Sequence, residues 1–172
     1  MHFSQELADR FMRYVRIDTE ADPNSSSFPS SEKQKDLGRL LTQELIELGA
    51  SDVEMDAWGY VFATIPSNSP NQNLPTICFC SHMDTAPDCS GKDVKPILHR
   101  AWNGSPITLP DDTTQVITVE NQPYLSRKIG QDVITASGLT LLGADDKAGV
   151  AIIMELAAYL QANPQIPHGP IR

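Results

Sequence analysis

The sequence is short of basic residues, cysteines and long apolar runs, and each shortage argues against a class of protein. Among 172 residues, 13 are Lys or Arg and 22 are Asp or Glu, which gives a net charge of -9 at pH 7. Without a basic cluster to follow a phosphate backbone, we expect no nucleic-acid partner. No stretch approaches the roughly 18 apolar residues of a membrane span, so we expect no membrane partner. Three cysteines are an odd, sparse set, which argues against a disulfide framework and predicts a reducing, cytoplasmic location.

Helical periodicity is present in three segments of a chain that is 40% hydrophobic, enough for one domain with a buried core. The first amphipathic helix is predicted to end near Asp18. The second is predicted to start at Ser31, because Ser31 and Gln34 form an S-x-x-Q capping box, and to stop at Gly49. The third is the apolar stretch Ala148–Leu160, which the pattern predicts to be a long helix.

Four short segments have the composition of strands. They are residues 53–56, 61–65, 76–80 and 132–136. The first two are joined by a turn at Trp58–Gly59, whereas the third carries four apolar residues in a row, which predicts a strand buried on both faces. Residues 87–130 have no sustained period and predict loops and edge strands. The order of helices and strands indicates an α/β domain whose sheet is covered by helices.

The first candidate site follows the apolar segment 76–80 and contains His82 and Asp84. Ligands in α/β proteins bind beyond the carboxyl ends of strands. On an extended backbone, side chains two residues apart project to the same side. A neutral imidazole could therefore offer one nitrogen to a metal while the carboxylate fixes its tautomer. The alternative is an ordinary hydrogen-bonded histidine at the end of a strand.

The second candidate site is the run Asp145-Asp146-Lys147 at the start of the third predicted helix. Acidic residues at a helix start are stabilised by the helix dipole, so capping explains the pair as well as metal binding does. A phosphate-binding loop does not fit, because Lys147 precedes Gly149 instead of following a glycine directly. The residues by themselves leave capping and metal binding open.

Taken together, the two motifs resemble those of a known family. The matching stretches are His82-Met83-Asp84-Thr85, Val94-Lys95-Pro96, the run from Thr140 to Gly149, and Pro167-His168-Gly169-Pro170-Ile171-Arg172. In these residues the sequence resembles the amino-terminal part of the zinc-dependent di- and tripeptidases of the aminoacylase/carboxypeptidase superfamily. The resemblance covers essentially the whole chain.

The resemblance implies roles for individual residues. His82 would bind one zinc ion and Asp145 would bridge two, while Asp84, a catalytic residue of the family, would orient His82. The peptide bond between Asp145 and Asp146 would be cis, with Asp146 outside the set of metal ligands. A pair of zinc ions polarises a scissile carbonyl and activates a bound water, which requires a ligand with two oxygens between the ions.

The resemblance also implies a fold, an activity and an assembly. The fold would be a three-layer sandwich, phosphorylase/hydrolase-like, with a mostly parallel mixed sheet covered by helices. Residues 1–172 would form the amino-terminal part of this catalytic domain. The activity would be that of a dizinc aminopeptidase releasing the N-terminal residue of tripeptides. A separate lid or dimerisation domain would follow, and the full-length protein could be a homodimer.

We expect the chain by itself not to hydrolyse peptides, because a catalytic zinc usually takes three protein ligands. The family's Glu-Glu pair, a further Asp and a later His do not appear before Arg172. The local alternatives for completing a site are Asp88, Asp111, Asp112, His99, His168, Cys78 and Cys80. Asp111 and Asp112 are predicted to lie in a solvated turn, the two histidines in exposed loops, and the two cysteines to be small buried residues. A related zinc amidase or dipeptidase, and a non-catalytic α/β module, remain alternative hypotheses.

Overall fold

In the part of the chain that the structure describes, three α-helices pack around a buried apolar core. The computed structural model describes residues 3–172, with side chains from residue 5 onward. The helices are α1 (Phe3–Tyr14), α2 (Gln34–Glu47) and α3 (Ala144–Ala162). Helix α1 packs mainly against α3, and α2 packs against the strands at residues 51–55 and 61–64. The core between them is apolar and consists of Phe11, Tyr14, Val15, Leu37, Leu41, Leu45, Val94, Val150, Ala151 and Met154.

Helix α2 begins three residues later than its capping box predicts. Residues 31–33 instead form a tight turn, in which the amide of Gln34 donates to the carbonyl of Ser31. The predicted end is confirmed, since Gly49 has a φ of +79°. The amide of Gly49 donates to the Ile46 carbonyl and that of Ala50 donates to the Leu45 carbonyl. These two bonds form a Schellman motif, which needs the left-handed conformation that glycine adopts without strain.

Among residues 3–172, six strands form three separate antiparallel pairs. They are β1 (Ser51–Met55), β2 (Val61–Thr64), β3 (Ile97–His99), β4 (Ile107–Leu109), β5 (Asp112–Ile117) and β6 (Val133–Thr135). Strand β1 pairs with β2, β3 with β6, and β4 with β5. A short 3-10 helix, Pro123–Lys128, lies between β5 and β6. Residues 87–130 thus contain the loops and short strands that their composition predicts.

The hairpin β1–β2 and its turn are confirmed. The Oδ1 of Asp56 accepts hydrogen bonds from the amides of Trp58 and Tyr60, both at 2.9 Å. Gly59 has a φ of +93°, a value that few other residues adopt without strain. The turn is therefore fixed by one carboxylate and one glycine, which explains why it could be predicted from local sequence.

Two extended segments, residues 170–172 and 76–80, lie side by side next to this hairpin. Ile171 exchanges backbone hydrogen bonds with Ile65 in antiparallel fashion and forms a parallel bridge with Ile77. The prediction that residues 76–80 are buried on both faces is wrong, because Ile77 is 55% exposed and Phe79 is 45% exposed. The segment pairs with residues 170–172, and all five of its residues are exposed.

The α/β class is confirmed, but a continuous, mostly parallel sheet does not form among residues 3–172. Every named strand pair is antiparallel, and the parallel pairings are two isolated bridges, Glu20 with Thr85 and Ile77 with Ile171. The physical reason is that too few strands lie beside the segment at residues 76–80 to continue the sheet. Within this described part of the chain, no helix has the length and apolar character required to cross a bilayer.

Candidate metal centre

The side chains of His82 and Asp145, which lie 63 residues apart, meet at the surface. The Nε2 atom of His82 is 2.9 Å from Oδ1 of Asp145. On the other side of the ring, Nδ1 of His82 is 3.1 Å from the backbone oxygen of Asp84 and 3.3 Å from its carboxylate Oδ1. The imidazole thus lies between two acidic residues, one from each motif, and a site shared by the two motifs requires this convergence.

Both ring nitrogens of His82 face oxygen acceptors. A neutral imidazole carries one N–H, so it can donate to Asp84 or to Asp145 but not to both. Burial lowers the pKa of His82, but the hydrogen bond to Asp145 and the contacts with Asp84 more than offset it, so the pKa lies above its usual value. The contact between Nε2 and Asp145 is therefore stabilised by a positive charge, which a proton or a metal cation can supply.

Asp145 is presented to solvent by a break in regular helix geometry. Gly143, just before α3, has a φ of +80°, and the backbone of Asp145 has φ and ψ of -92° and 102°. The Asp145–Asp146 peptide bond is cis, as the family resemblance implies. The side chain of Asp145 is 95% exposed, compared with 53% for His82. Neither donor is held by packing in a cavity.

Asp146 has a different environment from Asp145. Its Oδ2 accepts a 2.6 Å hydrogen bond from the Ser81 hydroxyl, and its Oδ1 accepts a 3.1 Å bond from the amide of Gly149. The capping explanation therefore describes Asp146, whose carboxylate satisfies an amide of the first regular turn. It does not describe Asp145, whose carboxylate points to His82. Sequence reasoning did not single out Ser81, because a serine before a histidine carries no specific signal.

Lys147, which follows the two aspartates, is buried, with 1% exposure. Its Nζ donates a 2.7 Å hydrogen bond to the backbone oxygen of Ile17. Burial lowers the pKa of Lys147 to about 8, against the opposite effect of Asp18. Two residues after Ile17, the Thr19 hydroxyl donates a hydrogen bond to the Met83 carbonyl at 2.7 Å. Lys147 and Thr19 thus connect the start of α3 to the segment that bears His82 and Asp84.

The acidic pair predicted in a solvated turn lies between β4 and β5, with Asp111 in the turn and Asp112 as the first residue of β5. Asp111 Oδ2 forms a 2.8 Å ion pair with Lys95, and this hydrogen bond holds the pKa of Asp111 below its usual value. Asp112 accepts hydrogen bonds from the amide and hydroxyl of Thr114. Asp111 is thus paired with Lys95 and Asp112 with Thr114, so neither contributes to the candidate site.

The two other candidate histidines are half-buried rather than exposed. His99 lies in β3 and its Nε2 is 3.0 Å from the Thr135 hydroxyl on β6. His168 lies in a loop, with Nδ1 2.8 Å from the Gly169 oxygen. The exposure predicted for them is wrong, since both residues are partly buried and each ring makes a hydrogen bond within the protein. Neither ring joins His82.

The cysteines also differ from the prediction. Cys78 and Cys80 were expected to be small buried residues, but they are exposed, as is Cys89, and all three are free thiols. Cys78 and Cys80 share this exposure with Ile77 and Phe79 of the same segment. Asp88 is exposed in a turn.

The candidate site supplies two metal donors. Within residues 3–172, no group of three or more His, Cys, Asp or Glu side chains is arranged to hold a metal ion. An imidazole nitrogen and a carboxylate oxygen suit zinc in kind, but they are fewer than the three protein ligands of a usual catalytic site. A surface cavity of about 510 Å³ lies at another place, lined by residues such as Glu20, Lys33 and Pro87. His82 and Asp145 therefore offer two donor atoms on an open surface.

Comparisons with known proteins give consistent relatives. No family model matches the chain. Peptidase T of Bacillus cereus strain Q1 is 47% identical over 172 residues, all of this chain and 42% of that protein. Peptidase T of Bacillus mycoides strain KBAB4 is 48% identical over 168 residues, 98% of this chain and 41% of that protein. The chain thus spans about two fifths of the length of the curated relatives it matches.

Solved structures define the class of fold. Aminopeptidase PepT from Bacillus cereus ATCC 10987 superposes with a TM-score of 0.63 at 26% identity, covering 97% of this chain and 34% of that one. A tripeptidase from Staphylococcus aureus gives a TM-score of 0.61 at 26% identity with the same coverage. The aminoacylhistidine dipeptidase of Vibrio alginolyticus, at 19% identity and a TM-score of 0.57, shares the fold.

The fold therefore makes the chain similar to α/β peptidases of known structure, an aminopeptidase and a tripeptidase. More narrowly, the chain is similar to peptidase T along its whole length. The resemblance stated from the sequence motifs is confirmed.

Proposed function

We propose that this chain is part of a zinc-dependent aminopeptidase that releases the N-terminal residue of tripeptides. One observation carries the proposal: His82 Nε2 lies 2.9 Å from Asp145 Oδ1 in a chain 47% identical to a peptidase T over all of its residues. Two donor atoms of the types that zinc prefers meet across 63 residues of sequence. Capping and ordinary surface hydrogen bonding do not require that convergence.

In this proposal His82 and Asp145 hold the metal and Asp84 orients His82. Asp84 accepts the proton of Nδ1, so the lone pair of Nε2 is directed toward the metal. Asp145 has two carboxylate oxygens and can serve two ions, whereas His82 has one free nitrogen and can serve one. When bound, a zinc pair supplies polarisation of the scissile carbonyl and a lowered pKa of the bound water.

The remaining ligands and the general base are proposed to lie outside this chain. Two donors are too few for a catalytic zinc site. We therefore assign residues 1–172 to the amino-terminal part of a catalytic domain, with its carboxyl-terminal part and a lid or dimerisation domain elsewhere in the protein. In that domain, residues 65, 77–79 and 171 would belong to a mostly parallel mixed sheet covered on both faces by helices.

The substrate is proposed to be a small peptide, since the similar solved structures are an aminopeptidase and a tripeptidase. A homodimer is the proposed assembly of the full-length protein. Three free, exposed cysteines fit a reducing compartment, so we propose a cytoplasmic location. A related zinc amidase or dipeptidase would share the same two ligands and differ in substrate.

The test is zinc stoichiometry combined with peptide hydrolysis by the full-length protein. We expect two zinc ions for each polypeptide and faster cleavage of tripeptides than of dipeptides or N-acyl amino acids. His82→Ala should abolish turnover and reduce the zinc content, whereas His168→Ala, which removes a loop imidazole that does not contact Asp145, should do neither. Full activity in the His82→Ala variant would refute the ligand assignment, and equal activity of residues 1–172 alone would refute the missing half-site.

A further inference from the structure

Two adjacent contacts join the same two segments of the chain. His82 meets Asp145, and the preceding residue, Ser81, meets the following one, Asp146. The Ser81 hydroxyl lies 2.6 Å from Asp146 Oδ2 and 2.9 Å from its backbone oxygen, so its one proton has two acceptors. We call this contact the Ser81–Asp146 bridge. It ties the end of the apolar segment directly to the start of α3.

The Asp146 carboxylate is itself fixed on the helix. Its second oxygen, Oδ1, accepts a hydrogen bond from the amide of Gly149 at 3.1 Å. The close approach depends on glycine: a Cβ at position 149 would lie 2.4 Å from Asp146 Oδ1 and 2.7 Å from Ser81 Oγ. The bridge is thus a contact of three residues, and a side chain at position 149 would force the Asp146 carboxylate or the Ser81 hydroxyl to move.

The exposed pair beside the bridge has little else to hold it. The side chain of Asp145 is 95% exposed and that of His82 is 53% exposed, so packing does not fix their separation. Their relative position must then be set by the backbones on which they stand. The Ser81–Asp146 bridge acts on those two backbones one residue away, and a hydrogen bond to a carboxylate is stronger than one between neutral groups.

We propose that Ser81, with Asp146 and Gly149, is a positioning residue that sets the distance between His82 and Asp145 for metal binding. The inference rests on the proposed function, in which these two side chains are metal ligands. Asp146 serves the site without contacting the metal, by holding Ser81. A purely structural role for Ser81 would stabilise the fold but leave zinc affinity unchanged.

The experiment compares Ser81→Ala, Ser81→Thr and a matched control in the full-length protein. Ser126→Ala is the control, because Ser126 also donates its hydroxyl to a backbone carbonyl, that of Pro123 in the 3-10 helix. Zinc affinity is measured by competition with a chromophoric chelator. Ser81→Ala should weaken affinity about 10- to 100-fold, the loss typical when a residue that supports a metal ligand is removed. Ser81→Thr keeps the hydroxyl and should restore most of the affinity.

A second measurement works without metal. At fixed pH, the imidazole ¹⁵N chemical shifts of His82 report its contact with Asp145, and they should change in Ser81→Ala but not in Ser126→Ala. If the unaltered protein bound no zinc, the proposed function would fail, and these shifts would still decide whether the bridge positions His82. A folded Ser81→Ala variant with unchanged His82 shifts, or with unchanged zinc affinity in a protein that binds zinc, would overturn the inference.

Discussion

The ammonium group of Lys147 donates a hydrogen bond to the backbone oxygen of Ile17, 130 residues earlier in the chain. Lys147 is two residues beyond Asp145, and Ile17 is two residues before Thr19, which bonds the Met83 carbonyl. The Thr19 carbonyl in turn accepts the amide of Thr85. Helix α3, the segment after α1 and the segment bearing His82 are therefore joined by main-chain acceptors.

Thr19→Val should destabilise the protein. Thr19 is fully buried, and valine has the same shape without the hydroxyl, so the Met83 carbonyl would lose its donor. Leaving a buried polar group unsatisfied costs about 1–3 kcal/mol. Urea unfolding at neutral pH measures the change. The control is Thr113→Val at an exposed position of β5, for which a change within about 0.5 kcal/mol is expected. Equal stability of the two variants would contradict the role of Thr19.

Asp84→Asn should weaken zinc binding by the full-length protein. The Asp84 carboxylate lies 3.3 Å from His82 Nδ1, which is hydrogen-bonded to the Asp84 backbone oxygen, and an amide in place of the carboxylate removes the negative charge beside the ring. Loss of such a supporting contact typically costs about 10- to 100-fold in metal affinity. Isothermal titration with zinc measures it. Asp88→Asn removes a nearby exposed carboxylate and should leave affinity unchanged, so an equal loss in both variants would indicate a nonspecific charge effect.

Tyr14 should make stability depend on pH in the alkaline range. Burial raises the pKa of Tyr14 well above its usual value, and its 2.5 Å hydrogen bond to Glu44 adds to the effect. Above pH about 10, the unfolded chain releases the phenol proton while the folded chain keeps it. The stability supplied by the neutral phenol is therefore present below that pH and lost as pH rises.

The measurement for Tyr14 is urea unfolding at pH about 9 and about 11, on either side of the ordinary tyrosine pKa. Tyr14→Phe should lose less stability between the two values than the unaltered protein does. Tyr124→Phe, at a position 62% exposed, should behave like the unaltered protein. If all three proteins showed the same dependence on pH, Tyr14 would not be the group responsible.

Two helical glycines should respond differently to alanine. At Gly149 a Cβ would lie 2.4 Å from Asp146 Oδ1, within the Ser81–Asp146 bridge. At Gly38 the nearest atom, at 2.9 Å, is the Sδ of Met55, the far part of a flexible side chain. Alanine gains about 1 kcal/mol over glycine from helix propensity, whereas forced overpacking costs about 1–3 kcal/mol. Thermal unfolding should therefore show a clear loss for Gly149→Ala and a smaller effect for Gly38→Ala. The reverse order would contradict the rigid contact at Gly149.

Local features of the fold could be predicted from the sequence. The turn at Trp58–Gly59 and the end of α2 at Gly49 each depend on a glycine with positive φ and on a few neighbouring hydrogen bonds. The start of α2 was misplaced because Ser31 lies in a turn whose main-chain bonds, not its side chain, lead into the helix. The predicted burial of residues 76–80 is wrong, because an apolar run shows that a segment is suited to burial but not that other residues pack over it.

The candidate site divides in the same way. His82, Asp84 and Asp145 could be named because metal-binding residue types in two motifs resemble those of a family. Ser81 and Gly149 could not, since serine and glycine are common and their contact depends on an approach measured in tenths of an ångström. Only the folded backbone brings position 81 next to position 146.

The uncovered segment around Cys78 and Cys80 has a practical consequence for anyone purifying residues 1–172. Two free cysteine side chains stand in solvent beside exposed Ile77 and Phe79. Apolar contact would bring copies together, and air oxidation could then crosslink them through these sulfurs. Reductant in every buffer should keep the preparation monodisperse, and its omission should give ladders on a non-reducing gel.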